Sequence, residues 1–479
     1  MFHRLSTGLR NGAYDASARA DALMNQDTIR LAVTGLSRAG KTVFVTSLLA
    51  NLLALGRGLD TLPRLHGALG RSLGGESGGQ MASRLQGICL APPGQEEVPL
   101  FDLARNLGAL TAPAPDWPPR TDDLTETALE LTLERDGFLG RQRGPRRLRL
   151  EILDYPGEWL LDLPLLDQSF AEWSRQTLPR LCQGVRAQIF EGFLEALRGH
   201  APDSSPDHAI VRRVHETYRE ALRVAQHEHG LRLLQPGRLL CPGPGADAPF
   251  LWFFPLEGAP DHPRRGTLAD LLQGRFEAYK ADMRTRFFER HFSRFDRQVL
   301  LVDVLGALHG GREVFHDTQD ALALIASCLS YGGWYPGRAR YGRIARVAFA
   351  ATKADHVPTI HRQNLEGLLK DIVAPALTSI GSGPVSYHAV ASVLSTQDAV
   401  IEKDGVTHDV VRGTILGTGM ARLFDPGAVP ASRPPETFWN RRRFVLPVFE
   451  PPRGEAIGPT GIPSLGLDTL LVTLLGDKL

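Results

Sequence analysis

Three short stretches carry the residue types that handling a nucleotide would require. The first, Gly35 to Thr42, reads GLSRAGKT and fits G-x-x-x-x-G-K-[ST]. Its glycines let the backbone curl so that successive N–H groups face phosphate oxygens, and a helix beginning there adds a favourable dipole. Gly35, Ser37, Arg38, Ala39, Gly40, Lys41, Thr42 and Val43 are therefore the candidate phosphate contacts. Lys41 has the reach for β and γ phosphates, and the Thr42 hydroxyl suits a Mg²⁺ ion. Arg38, inside the loop, could lend charge to a transition state or simply point to solvent.

The second stretch is LDYPGE, in which Asp154 to Gly157 form D-x-x-G at the end of an apolar run. An acid so placed can hold Mg²⁺, usually through water, while the Gly157 N–H can sense a γ-phosphate. The bland alternative is Asp154 as a turn cap. Position 158, where a glutamine would orient attacking water, is Glu158, which a γ-phosphate repels. Hydrolysis is therefore expected to be slow. Thr121, in WPPRTDD, is the candidate switch threonine for Mg²⁺, with Thr125 as rival; the alternative for Thr121 is a plain helix or turn cap.

The third stretch, TKAD at Thr352 to Asp355, bears on the base. Asp355 can accept from the N1–H and the exocyclic amine of guanine, whereas adenine offers no such donor pair. The Lys353 stem can lie over the purine. Thr352 stands where asparagine is commoner, so the tetrapeptide could also be a solvated cap. Ala391, Ser392 and Val393 follow the next strand and could offer a backbone N–H to guanine O6.

These motifs need strands that end side by side. TIRLAV, QVLLVDV, RVAFAATKAD and VSYHAVAS are buried-strand runs separated by helical patterns, the signature of a parallel sheet covered by helices. ALELTLE and RLRLEIL alternate and predict an antiparallel hairpin. The fold class is α/β: a Ras-like P-loop NTPase core, a mostly parallel sheet with one antiparallel hairpin strand, and a large helical insertion. The expected core comprises residues 1–157 and 298–421, with a Gly- and Pro-rich insertion over about 56–120. Residues 158–297 form the helical insertion, and 422–479 a C-terminal extension ending in the helix LDTLLVTLLGDKL.

Bulk properties exclude other classes. A net charge of +1 supplies no general attraction for nucleic acid. Cys89, Cys182, Cys241 and Cys328 lie far apart, which suits reduced thiols in a cytoplasmic protein and not a metal site. No signal peptide or transmembrane run is expected. The RRR cluster at 441–443 fits a solvated face or, alternatively, a partner surface.

GLSRAGKTVF, DYPGEWLLDLPLL, TKADHV and the terminal LLGDKL together resemble the YcjX-like family of bacterial P-loop proteins, over essentially the whole chain. The resemblance implies a Ras-like GTP-binding core with added helices, in a cytosolic protein linked to envelope or general stress. It also implies a protein partner at the inner membrane. It transfers to Gly35, Gly40, Lys41, Thr42, Asp154, Gly157, Lys353 and Asp355. The expected function is a switch binding GTP or GDP with slow Mg²⁺-dependent hydrolysis. A nucleotide-stabilised scaffold without turnover is the alternative, and an ATPase or small-molecule kinase would require Asp355 to be irrelevant to the base.

Overall fold

Seven strands form the central sheet of the computed structural model, which describes residues 28–72, 81–95, 97–121, 123–135, 144–243, 247–329, 344–377, 384–403, 405–440, 444–453, 457–458 and 460–479. They are β1 Thr28–Gly35, β2 Leu85–Ala91, β3 Thr125–Leu133, β4 Arg146–Asp154, β5 Arg297–Val302, β6 Arg346–Ala351 and β7 Val385–Ala389. Their lateral order is β2-β3-β4-β1-β5-β6-β7. β1 is parallel to β4 and β5, β5 to β6 and β6 to β7, while β3 runs antiparallel to both β2 and β4. This is the Ras-like α/β fold expected from the sequence.

Sequence pattern explains most of these strands. β5 is buried at every position, as a strand covered on both faces must be. In the β3–β4 hairpin, Leu129, Leu131 and Leu133 are buried with Leu148, Leu150 and Ile152, while Arg147 and Arg149 turn outward. Register then fixes the chemistry. Val33 pairs with Asp154, and Gly35 with Leu301, so the first two motifs leave adjacent parallel strands at the same edge. Ala351, which precedes TKAD, pairs with Val302 and Ala389, bringing the third motif to that edge too.

Helix α1 (Lys41–Gly56) is buried on nearly all sides and packs on one sheet face together with the C-terminal helix Leu467–Leu475. The other face carries the helices of residues 158–297. Trp173, Tyr218 and Phe276 of that segment share one continuous apolar core with Ala32, Leu153, Leu300 and Phe349 of the sheet. Within this layer, α2 is His208–His227; α3, Arg312–Leu329, packs against residues 157–167.

Two features depart from the sequence pattern. β2 lies in the stretch read as a Gly- and Pro-rich insertion; only Ile88 of its seven residues is buried, so an edge strand left no alternation to detect. Residues Thr396–Lys403, Val406–Thr414 and Ala421–Phe424 form a separate three-stranded antiparallel sheet. The 441–443 cluster and the N-terminal 27 residues lie outside the described residues. Among the described residues, no helix is long and apolar enough to cross a membrane.

Candidate functional site

The loop between β1 and α1 is shaped by three constraints. Gly35 has no room for a side chain: a Cβ there would lie 3.0 Å from the Leu301 carbonyl oxygen. Arg38 and Gly40 adopt the left-handed region, at φ 66° and 76°. Helix α1 starts at Lys41 without a side-chain cap and without an acid in its first turn. Its first amides and the positive end of its dipole are thus available to an anion. Gly157 packs directly on this loop, for a Cβ at that position would meet the Gly35 carbonyl oxygen at 2.6 Å.

Asp154 is 1% exposed. Its Oδ1 receives Lys41 Nζ at 2.5 Å, while Oδ2 is buried with no hydrogen-bond partner among the described residues. Burial pushes this carboxyl above its usual range, against the pull of the Lys41 ammonium. The hydroxyls of Thr42, which follows Lys41, and of Thr121 lie 3.0 Å apart. Two convergent hydroxyls, with the orphaned Asp154 oxygen tied to the same loop through Lys41, are hard oxygen donors of the kind that suits Mg²⁺. Of the two rival threonines, Thr121 is the one brought to Thr42; Thr125 instead begins β3 opposite Asp154.

Glu158 does not point away from the loop. It is buried in the cavity wall, where its Oε1 accepts from Arg120 Nη2 at 3.1 Å and from Gln226 Nε2, on α2, at 2.9 Å. Arg120 also donates to Ser37 Oγ at 3.4 Å. Arg38, a candidate for stabilising transferred charge, has its terminal nitrogen on the carbonyl of His227 instead, at 2.6 Å. The open carbonyl at a helix C-terminus is a ready partner for a guanidinium.

At the far end, Asp355 is 2% exposed, and Ser395 holds its Oδ2 through both amide (2.8 Å) and hydroxyl (2.7 Å). Lys353 adopts φ 62° and pairs its ammonium with Asp303 Oδ2 at 2.6 Å, leaving its stem on the cavity wall. Burial pushes the Asp303 carboxyl up, but Lys353 and the Gly306 amide outweigh it and hold it below the usual range. Thr352 turns to the Val302 carbonyl and serves the sheet. The Ala391 amide is taken by Leu465, so within ASV the donors left to face a ligand are those of Ser392 and Val393. One cavity of about 970 Å³ joins Lys41, Thr42, Thr121, Glu158, Lys353 and Asp355. That is ample for a nucleoside triphosphate.

The model of the YcjX-like family, DUF463, matches residues 29–479. The chain belongs to the YcjX-like family. Two curated relatives bear the name Ras-like GTPase YcjX. The one from Escherichia coli (strain K12) is 33% identical over 473 residues, covering 96% of this chain and 98% of the relative. The one from Shewanella oneidensis (strain ATCC 700550 / JCM 31522 / CIP 106686 / LMG 19005 / NCIMB 14063 / MR-1) is 34% identical over 464 residues, covering 94% of each. In this YcjX-like chain, sequence reasoning missed Arg120, Gln226, Arg232, Asp303 and Ser395. Asp303 had a readable signal, an acid ending the buried run QVLLV. The others come from loops or from a helix remote in sequence and reach the cavity only through the fold.

Proposed function

We propose that the protein is a guanine-nucleotide switch with slow, Mg²⁺-dependent GTP hydrolysis. One observation carries the reading: Asp355, buried and held by Ser395, lines the same cavity as the Lys41 loop. A carboxylate fixed there rewards a base with two adjacent donors, which adenine does not offer on that edge. The relatives' name, Ras-like GTPase, agrees with it.

In this reading the amides opening α1 bind the phosphates, and Lys41 exchanges Asp154 for β- and γ-phosphate oxygens. Thr42, Thr121 and Asp154 would hold Mg²⁺, which neutralises phosphate charge when bound. Glu158 stands where a water-orienting glutamine would help, and it is engaged by Arg120 and Gln226; turnover is slow for that reason. The state of the γ-phosphate is passed on through residues 157–167. Asp162 in that segment accepts the amides of Gly237 (2.8 Å) and Arg238 (2.9 Å) and the hydroxyl of Tyr279 (2.5 Å), all in the helical layer. The envelope or stress setting rests on the family resemblance alone.

The test is binding of fluorescent GDP against ADP, followed by Asp355→Asn. Guanine affinity is expected to fall and xanthine affinity to rise, because an amide donor meets xanthine's extra carbonyl. An Asp355→Asn protein with intact guanine preference would overturn the assignment.

A scaffold that binds nucleotide without turnover, with a protein partner at the inner membrane, is favoured by one observation. Val400, Val406, Met420, Leu423 and Val448 are each more than half exposed on or beside the three-stranded sheet. Phosphate release separates the readings: its absence, with inner-membrane vesicles present, selects the scaffold.

A further inference from the structure

Three arginines line the cavity that holds the phosphate loop, and they differ in what they already hold. Arg38 is bonded to the His227 carbonyl. Arg120 is spread over Glu158, Ser37, Gln226 and the Cys241 sulfur. Arg232 is the exception. It is 8% exposed and lines the cavity that holds Lys41 and Thr42, yet its Nη1 has no hydrogen-bond partner among the described residues.

Its backbone is fixed from behind. Asp317 Oδ2, on α3, accepts the amides of Arg232 and Leu233, while Oδ1 of the same carboxylate is held by Arg186. Burial draws the guanidinium below its ordinary range, against the attraction of Asp303, Glu158 and Asp317 and with the repulsion of Arg38. Guanidinium nonetheless stays charged at neutral pH. A buried cation with an unmet N–H is costly to maintain, and an anion in the cavity would remove that cost.

We propose that Arg232, presented by the helical insertion, is an arginine finger in cis whose Nη1 contacts the terminal phosphate of bound GTP. This rests on the guanine-nucleotide reading above. In the hydrolysis it would assist, water oxygen bonds to the γ-phosphorus and the bond to the β–γ bridging oxygen breaks. GDP leaves with that electron pair; phosphate keeps the hydroxyl, and the water's other proton goes to solvent. Negative charge grows on the bridging and γ oxygens along the way, and a desolvated guanidinium stabilises it more strongly than a hydrated one. The finger would also tie catalysis to the position of the helical layer, because Arg232 follows α2 and is clamped to α3.

The experiment is single-turnover GTP hydrolysis with Mg²⁺ by the full chain, read beside GDP affinity and formation of a GDP–aluminium fluoride complex. Arg232→Ala is expected to keep GDP affinity within about threefold, to slow hydrolysis on the order of 100-fold, and to lose the aluminium fluoride complex. Arg232→Lys keeps the charge without the planar fork and is expected to recover less than about a tenth of the rate. If the alanine variant hydrolyses GTP as the parent does, the finger is wrong while the nucleotide reading stands. Should that variant lose GDP binding through misfolding, the lysine variant decides, and parental turnover by it rejects the finger. A parent chain that binds GTP without any turnover rejects finger and hydrolysis together, and the parent assay alone reveals it.

Discussion

The guanidinium of Arg38, in the phosphate loop, donates to the carbonyl oxygen of His227, the last residue of α2, across 189 positions of sequence. The nucleotide loop and the helical layer are thereby in direct polar contact. A second link runs through Glu158, which accepts from Gln226 on the same helix. A third is steric: a Cβ on Gly237 would lie 2.1 Å from the Glu158 carbonyl oxygen, so the two backbones are pressed together.

Removing the first link should loosen the end of α2 without abolishing nucleotide binding. A cation at a helix C-terminus contributes about 0.3–1 kcal/mol. Arg38→Ala is therefore expected to raise amide hydrogen exchange over residues 225–230 by about two- to fivefold, with GDP affinity nearly unchanged. Unchanged exchange there would show that the contact does not hold the helix.

Asp154 supports a second prediction. It is paired to Lys41 on one oxygen and unpartnered on the other. Asp154→Asn leaves the Lys41 ammonium, whose side chain is 11% exposed, without its counter-charge. Breaking a buried pair from one side costs about 3 kcal/mol. Denaturant unfolding of the nucleotide-free protein should show that loss. Calorimetric titration of GDP should show Mg²⁺ tightening binding to the parent and doing little for the variant; an equal Mg²⁺ response in both would remove Asp154 from the ion site.

How much of this was legible in the chain depends on whether a feature was local. GLSRAGKT, D-x-x-G and TKAD each sit at a strand end, and the strands announce themselves as apolar runs, so the sheet and the ends of the site could be read directly. Asp162 shows the limit. It lies in WLLDLPLL, an apolar stretch with no other acid and no local sign of a partner, yet it is fully buried and joins three groups from residues 237, 238 and 279. Arg232 was invisible for the same reason: nothing near it in sequence distinguishes it, and only Asp317 and the cavity do. The helices of 158–297 could be recognised by period, whereas their fusion with the sheet's own core could not, because periodicity says which face is apolar and not what covers it.

The helical layer also carries a dependence on pH. His215, on α2, is 2% exposed, and its Nδ1 lies 3.1 Å from the Phe253 carbonyl oxygen. Burial pushes its pKa down to about 4, helped by Arg219 and Arg275 and opposed by that hydrogen bond and by Glu216. In the unfolded chain a histidine titrates near 6.5. Between those values the unfolded state takes a proton that the folded state refuses, so His215 stabilises the fold fully above about pH 6.5 and progressively less as pH falls towards 4. Asp162, raised by burial to about 6, works in the opposite direction over part of that window, so the parent's overall acid response mixes both. A variant isolates the histidine. His215→Asn keeps a donor near the Nδ1 position and does not titrate. From pH 7 to pH 5 the parent should lose about 2 kcal/mol relative to this variant. Urea unfolding at the two pH values measures the difference, and parallel losses would mean that His215 takes its proton in the fold as readily as in the unfolded chain.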